Sequence, residues 1–168
     1  MVRHSSGRRV VVGSAVVAAA ALLAVGLALH APASRHLAPP LPRGVISGRA
    51  VTVASLRGHA AAIAFVASWC NPCHAEAAAL ERFSSSTAGR GQLVAIDYAD
   101  YGDVRGGLIA PYRWSFPVLS DRSGATGDAY GVQHLPTTVI LNAAGDIVAR
   151  ESGPQTVASL RRALARAG

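Results

Sequence analysis

Hydrophobic positions in this chain change period from one segment to the next, and the periods outline its elements. Val10 to Leu29 is a run of twenty uncharged residues, all valine, alanine or leucine apart from Gly13, Ser14 and Gly26. As a helix this run reaches about 30 Å, the thickness of a bilayer's hydrocarbon. Beyond a proline-rich stretch the pattern shortens. Val45 to Val53, with Gly48 at its centre, predicts a short hairpin, and the apolar run Ala60 to Ala67 predicts a buried strand. Ala77, Leu80 and Phe83 recur at helical spacing to about Ser84, Gly89 and Gly91 punctuate, and Leu93 to Tyr98 reads as a second apolar strand. Strand, helix and strand in that order imply a parallel crossover. Asp103 to Tyr112 predicts a further helix, weakened by Gly106, Gly107 and Pro111. Thr138 to Leu141 and Ile147 to Arg150 read as an antiparallel hairpin around Asn142 to Asp146. Val157, Leu160 and Leu164 then line one face of a closing helix, with Arg161, Arg162 and Arg166 toward its C-terminal end. The sum is an α/β domain of about 125 residues with a mixed sheet.

The first forty residues carry four arginines and no acid. Arg3, Arg8 and Arg9 precede the apolar run, so the positive-inside tendency predicts a cytoplasmic segment at 1–9 and a membrane anchor at 10–29. A proline-rich linker at 30–42 and an extracytoplasmic domain at 43–168 complete this reading. The competing reading is a cleaved export signal, because Ala31-Pro32-Ala33 offers an A-x-A site and paired arginines occur in twin-arginine signals. Ala31 to Pro42 holds four prolines. At about 3.1 Å per residue it is an extended spacer of up to roughly 37 Å. The net charge of +7 lies largely in the tail, which leaves twelve arginines against nine acids in the remainder. No basic run there is interleaved with aromatics, which argues against a nucleic-acid partner.

Both cysteines lie in the hexapeptide Trp69-Cys70-Asn71-Pro72-Cys73-His74. A purely structural bridge across so short a loop contributes only about 2 kcal/mol. A structural zinc site needs four ligands, and no second pair follows. The redox reading has a mechanism. Cys70 ends a strand and opens a helix, Pro72 suits the first turn, and the unpaired N–H groups and the helix dipole stabilise a thiolate. Cys70 is then the attacking thiol and Cys73, one turn inward, the resolving one. C-x-x-C-H also describes covalent haem attachment, with His74 as axial ligand. Met1 is the only methionine, so His59 or His134 would supply the sixth ligand, or the position would stay open. A copper carrier using Cys70, Cys73 and His134 is a further binding-module reading.

The stretches VASLRGHAAAIAFVASWCNPCHAE, FPVLSD and YGVQHLPTTVILNAAGDIV, taken together, resemble successive landmarks of membrane-anchored thioredoxin-like proteins of the TlpA/ResA type. The resemblance covers most of residues 44 to 166, and W-C-x-P-C with a distant L-P-T-T is far more specific than C-x-x-C alone. It implies a thioredoxin-like fold and thiol-disulfide exchange outside the cytoplasm, with no cofactor beyond the redox-active Cys70-Cys73 disulfide. It also implies protein thiols and disulfides as substrates, apocytochrome c or copper-site thiols among them, and a membrane electron donor of the DsbD/CcdA type. By the same resemblance Pro136 falls on a cis-proline that faces the dithiol. Glu76 falls on a glutamate that handles the proton of the buried thiol, although an acid near a helix N-terminus is also favourable for dipole reasons. Ala64 stands where thioredoxins proper carry a buried aspartate, and Ala78 where many relatives have a proline. The resemblance favours a reductase; a general oxidant of exported proteins is the alternative enzyme.

Overall fold

The structure, a computed structural model, describes residues 37–168. The segments expected at 1–9 and 10–29, and the linker through residue 36, lie outside the described residues. Among the described residues no helix is long and apolar enough to cross a membrane.

Six strands form one sheet in the order β1-β4-β3-β2-β5-β6. They are β1 (Gly44–Ser47), β2 (Ala61–Val66), β3 (Leu93–Tyr98), β4 (Val118–Asp121), β5 (Thr137–Leu141) and β6 (Ile147–Ser152). β2, β3 and β4 run parallel, while β1 against β4, β5 against β2 and β6 against β5 are antiparallel. Helices α1 (Asn71–Ser84), α2 (Ala125–Ala129) and α3 (Val157–Ala167) connect or close the strands. The parallel β2-α1-β3 crossover and the β5-β6 hairpin stand where hydrophobic period predicts them. β1 differs from expectation: it makes no hairpin with the residues after it but pairs with β4, a partner more than seventy residues away. Asp103 to Tyr112 also departs from a regular helix. Arg105–Ile109 forms a widened π-helical turn that runs into a short α turn at Ala110–Tyr112.

Strand alternation divides the apolar residues between two faces. Ala62, Ala64 and Val66 of β2 join Leu93, Ala95, Phe83 and Leu160 on the face covered by α1 and α3, and both cysteines belong to this cluster. Ala61, Ile63 and Phe65 point the other way, toward Leu41, Leu56, Val94, Ile96 and Tyr130.

The end of the proline-rich stretch is seated on the second face. Leu37 bridges Asp146, the Ala38 N–H donates to the Gly145 carbonyl at 3.1 Å, and the Tyr130 hydroxyl donates to the Pro39 carbonyl at 2.6 Å. Leu41 is buried in that core. Residues 37–42 are thus tied to the folded unit by these backbone contacts and by burial of Leu41, with Ala38 partly buried beside it.

Candidate active site

The C-terminal end of β2 delivers the chain to the cysteines. Cys70 is the N-cap of α1, with extended backbone, and Pro72 occupies the first helical turn. Cys70 and Cys73 are joined in a disulfide with their Cα atoms 5.2 Å apart. The Cys73 N–H points at Cys70 Sγ from 3.2 Å. A donor at a helix N-terminus stabilises negative charge on that sulfur, which is the electrostatic basis for a reactive thiolate. Cys70 retains 3 % exposure and Cys73 none, so the outer sulfur is the one a partner reaches first.

Several side chains frame the pair. Trp69 is 60 % exposed, so it projects into solvent beside Cys70 instead of packing against the domain. His74 is half-buried. Its Nε2–H donates to the Ser68 carbonyl at 3.0 Å, and its ring lies against Tyr112. The Leu135-Pro136 peptide is cis, and Pro136 immediately precedes β5. Thr137 pairs with Phe65, so Pro136 lies at the same end of the sheet as the cysteines.

Glu76, three residues after Cys73, is fully buried. That spacing places the two on one face of α1. Glu76 Oε2 accepts the Gln155 N–H at 2.7 Å, and Oε1 has no partner among the described residues. Burial pushes its pKa up to about 7, and the Gln155 N–H only partly offsets that. A carboxyl serving only the helix dipole would stand in water; this one is held where it changes charge near neutral pH.

Two carboxyls that sequence reasoning did not single out lie on the opposite flank. Asp100 accepts the Ser68 N–H at 2.6 Å through Oδ2 and the Gly102 N–H at 2.7 Å through Oδ1. Burial opposes its ionisation, but these donors outweigh burial and hold its pKa below the ordinary carboxylate value. Asp97, on β3, is pushed up to about 8, chiefly by burial and then by the Asp100 charge. An aspartate inside the otherwise apolar run LVAIDY was the available signal. Close approach matters here: a Cβ on Gly102 would run into the Ser68 hydroxyl, and one on Gly107 would lie 3.3 Å from Ser68 Cβ.

A family model described as Redoxin matches residues 31–164. The chain belongs to the redoxin family. It is similar to the thioredoxin-like protein YneN of Bacillus subtilis, 29 % identical over 130 residues that cover 76 % of each chain. It is likewise similar to the thiol-disulfide oxidoreductase ResA of Halalkalibacterium halodurans, 27 % identical over 112 residues, 66 % of this chain and 64 % of that one. Among solved structures, a thiol:disulfide interchange protein of Chlorobium tepidum TLS superposes with a TM-score of 0.69 at 23 % identity, covering 82 % of this chain and 99 % of that one. This redoxin is thus a thioredoxin-like thiol-disulfide oxidoreductase of the ResA type, with Cys70 and Cys73 as its C-x-x-C pair. Among its described residues no group of three or more His, Cys, Asp or Glu is arranged to hold a metal ion.

Proposed function

We propose that this redoxin is an extracytoplasmic reductase of protein disulfides, held at the membrane through Val10 to Leu29. The reading rests above all on the Cys73 N–H aimed at Cys70 Sγ at the start of α1, which favours a thiolate on the outer sulfur. In the reduced protein the Cys70 thiolate attacks one sulfur of a substrate disulfide, and the substrate's other sulfur leaves as a thiolate. Cys73, deprotonated by Glu76, then attacks Cys70 Sγ. The Cys70-Cys73 disulfide forms, the second substrate sulfur is released, and two electrons have passed to the substrate. Glu76 suits the second step because its charge changes near neutral pH one turn from the resolving thiol. Pro136, at the same end of the sheet, fits a role in presenting the Leu135 backbone to an incoming peptide.

The substrates proposed are cysteines of apocytochrome c or of copper-delivery sites, and the protein is recharged by a dithiol donor in the membrane of the DsbD/CcdA type. No cofactor besides the disulfide enters the reaction. The direction of flow is tested by equilibrating the full chain with thiol-disulfide buffers. A reductase has a potential near the thioredoxin value of about −270 mV; a value near about −120 mV makes the protein an oxidant and overturns this reading.

A further inference from the structure

Two carboxyls meet beneath the segment that leads into Cys70. Asp97 lies near the C-terminal end of β3, opposite Val66 of β2 and Ser120 of β4. Alternation along β3 places it on the same sheet face as Leu93 and Ala95, whose cluster contains both cysteines. Asp100, from the loop after β3, faces it within hydrogen-bonding range, and both residues are buried, at 6 % and 5 % exposure. The Asp100 oxygens are committed to the Ser68 and Gly102 N–H groups, whereas Asp97 Oδ1 has no partner among the described residues. Two carboxyls hydrogen bond to each other only when one of them holds a proton. Asp100, gripped by two backbone donors, is the anion, and Asp97 is the acid.

The other charged groups near Asp97 are few. Arg122, just past β4, favours ionisation of Asp97, while Asp100 opposes it. Arg122 is exposed and also lies over the Tyr101 ring. From the α1 side, His74 is engaged with the Ser68 carbonyl, and Glu76 is held away on the Gln155 N–H. Asp121, at the end of β4, accepts the Gly127 N–H.

We propose that Asp97 and Asp100 form a one-proton positioning pair for the Cys70 thiol. With the proton in place the pair carries a single charge and holds the Ser68 N–H, two residues before Cys70. Loss of that proton to solvent adds a second buried negative charge beside the loop, which disfavours the Cys70 thiolate and slows exchange. No electron moves in this step and no co-reactant is needed. Neither carboxyl touches the reacting sulfurs, and both act through the loop and the local field. This inference rests on Cys70 being the attacking thiol.

The test is the rate at which the reduced full chain, in detergent micelles, reacts with the chromogenic disulfide dithiobis(nitrobenzoate) as a function of pH. In the wild type, ionisation of Asp97 near pH 8 holds back thiolate formation, so the rise in rate is spread over two steps, the upper one completed only above that pH. Asp97→Asn preserves shape and hydrogen bonding, so its profile contracts to a single step. The midpoint falls by about half a pH unit, equivalent to about threefold in rate on the rising limb. Arg122→Gln, at an exposed site where folding is safe, removes the charge that favours ionisation and moves the upper step to higher pH. Superimposable wild-type and Asp97→Asn profiles overturn the proposal, as does an upper step that Arg122→Gln leaves in place; the second variant decides alone if the first does not fold. Cys70→Ser separates the underlying assignment, because a variant that still reacts at the wild-type rate removes Cys70 as attacker whatever the pH profiles show.

Discussion

Glu76 shows what one buried side chain adds to a motif. The cysteines and their place at the start of α1 are legible from the hexapeptide, because spacing, Pro72 and the preceding strand all bear on them. Burial of Glu76 is not legible, since an acid near a helix start reads equally well as a solvated dipole partner. What decides is tertiary: α1 turns this face toward the segment before α3, where the Gln155 N–H meets the carboxylate. Asp97 and Asp100 were missed for a related reason, as the strand pattern does not tell which face β3 turns toward the cysteines. Glu76→Gln keeps the acceptor for Gln155 and removes the ionisation. Resolution of the mixed disulfide is expected to slow by about a hundredfold at neutral pH, with loss of the step near pH 7. Rapid acid quenching and mass spectrometry of the accumulating mixed disulfide would check this, and an unchanged rate excludes Glu76 as the base.

At the scale of elements, period predicted β2, α1, β3, the hairpin and α3, all of which are built from contiguous pattern. The pairing of β1 with β4 was not legible, because four residues at a sheet edge carry too little pattern to name a distant partner. The segment after β3 likewise obeys packing more than propensity. Gly106 and Gly107 weaken a regular helix, yet Gly107 allows the turn to approach Ser68 closely. That segment ends at Trp114, which is buried and donates its indole N–H to the Ala77 carbonyl of α1 at 2.9 Å. This bond ties the loop to the helix that carries the cysteines. Trp114→Phe removes the donor and part of the ring, and a loss of about 2 kcal/mol is expected. Urea unfolding of the oxidised protein measures it; an unchanged midpoint means that α1 is held without this bond.

For the whole molecule, the two buried carboxyls with raised pKa values, Glu76 and Asp97, set how stability changes above about pH 5. Both have folded pKa values above their unfolded ones, so the folded protein binds more protons between those limits. Their contribution is fully present below the unfolded values and is lost as pH rises through about 7 for Glu76 and about 8 for Asp97. The denaturation midpoint of the oxidised protein is therefore expected to fall from about pH 5 to about pH 8, the reverse of a protein stabilised by salt-bridged carboxylates. Glu76→Gln removes its share of that slope, about 3 kcal/mol across the window. A flat profile in the wild type would mean that both carboxyls reach water.

The chain enters the domain at Leu37, beside Asp146 in the turn between β5 and β6. That turn follows Leu141, which pairs with Ala61 at the start of β2, whereas Cys70 follows the far end of the same strand. Six strand residues at about 3.3 Å each put roughly 20 Å between these two poles. The entry of the chain and its chemistry thus occupy opposite ends of the sheet, so the membrane attachment proposed above would leave the reactive pole clear for visitors. With that attachment, residues inserted ahead of Leu37 would change the reach of the reactive pole and leave its redox potential as it was, which makes reach and reactivity separately adjustable.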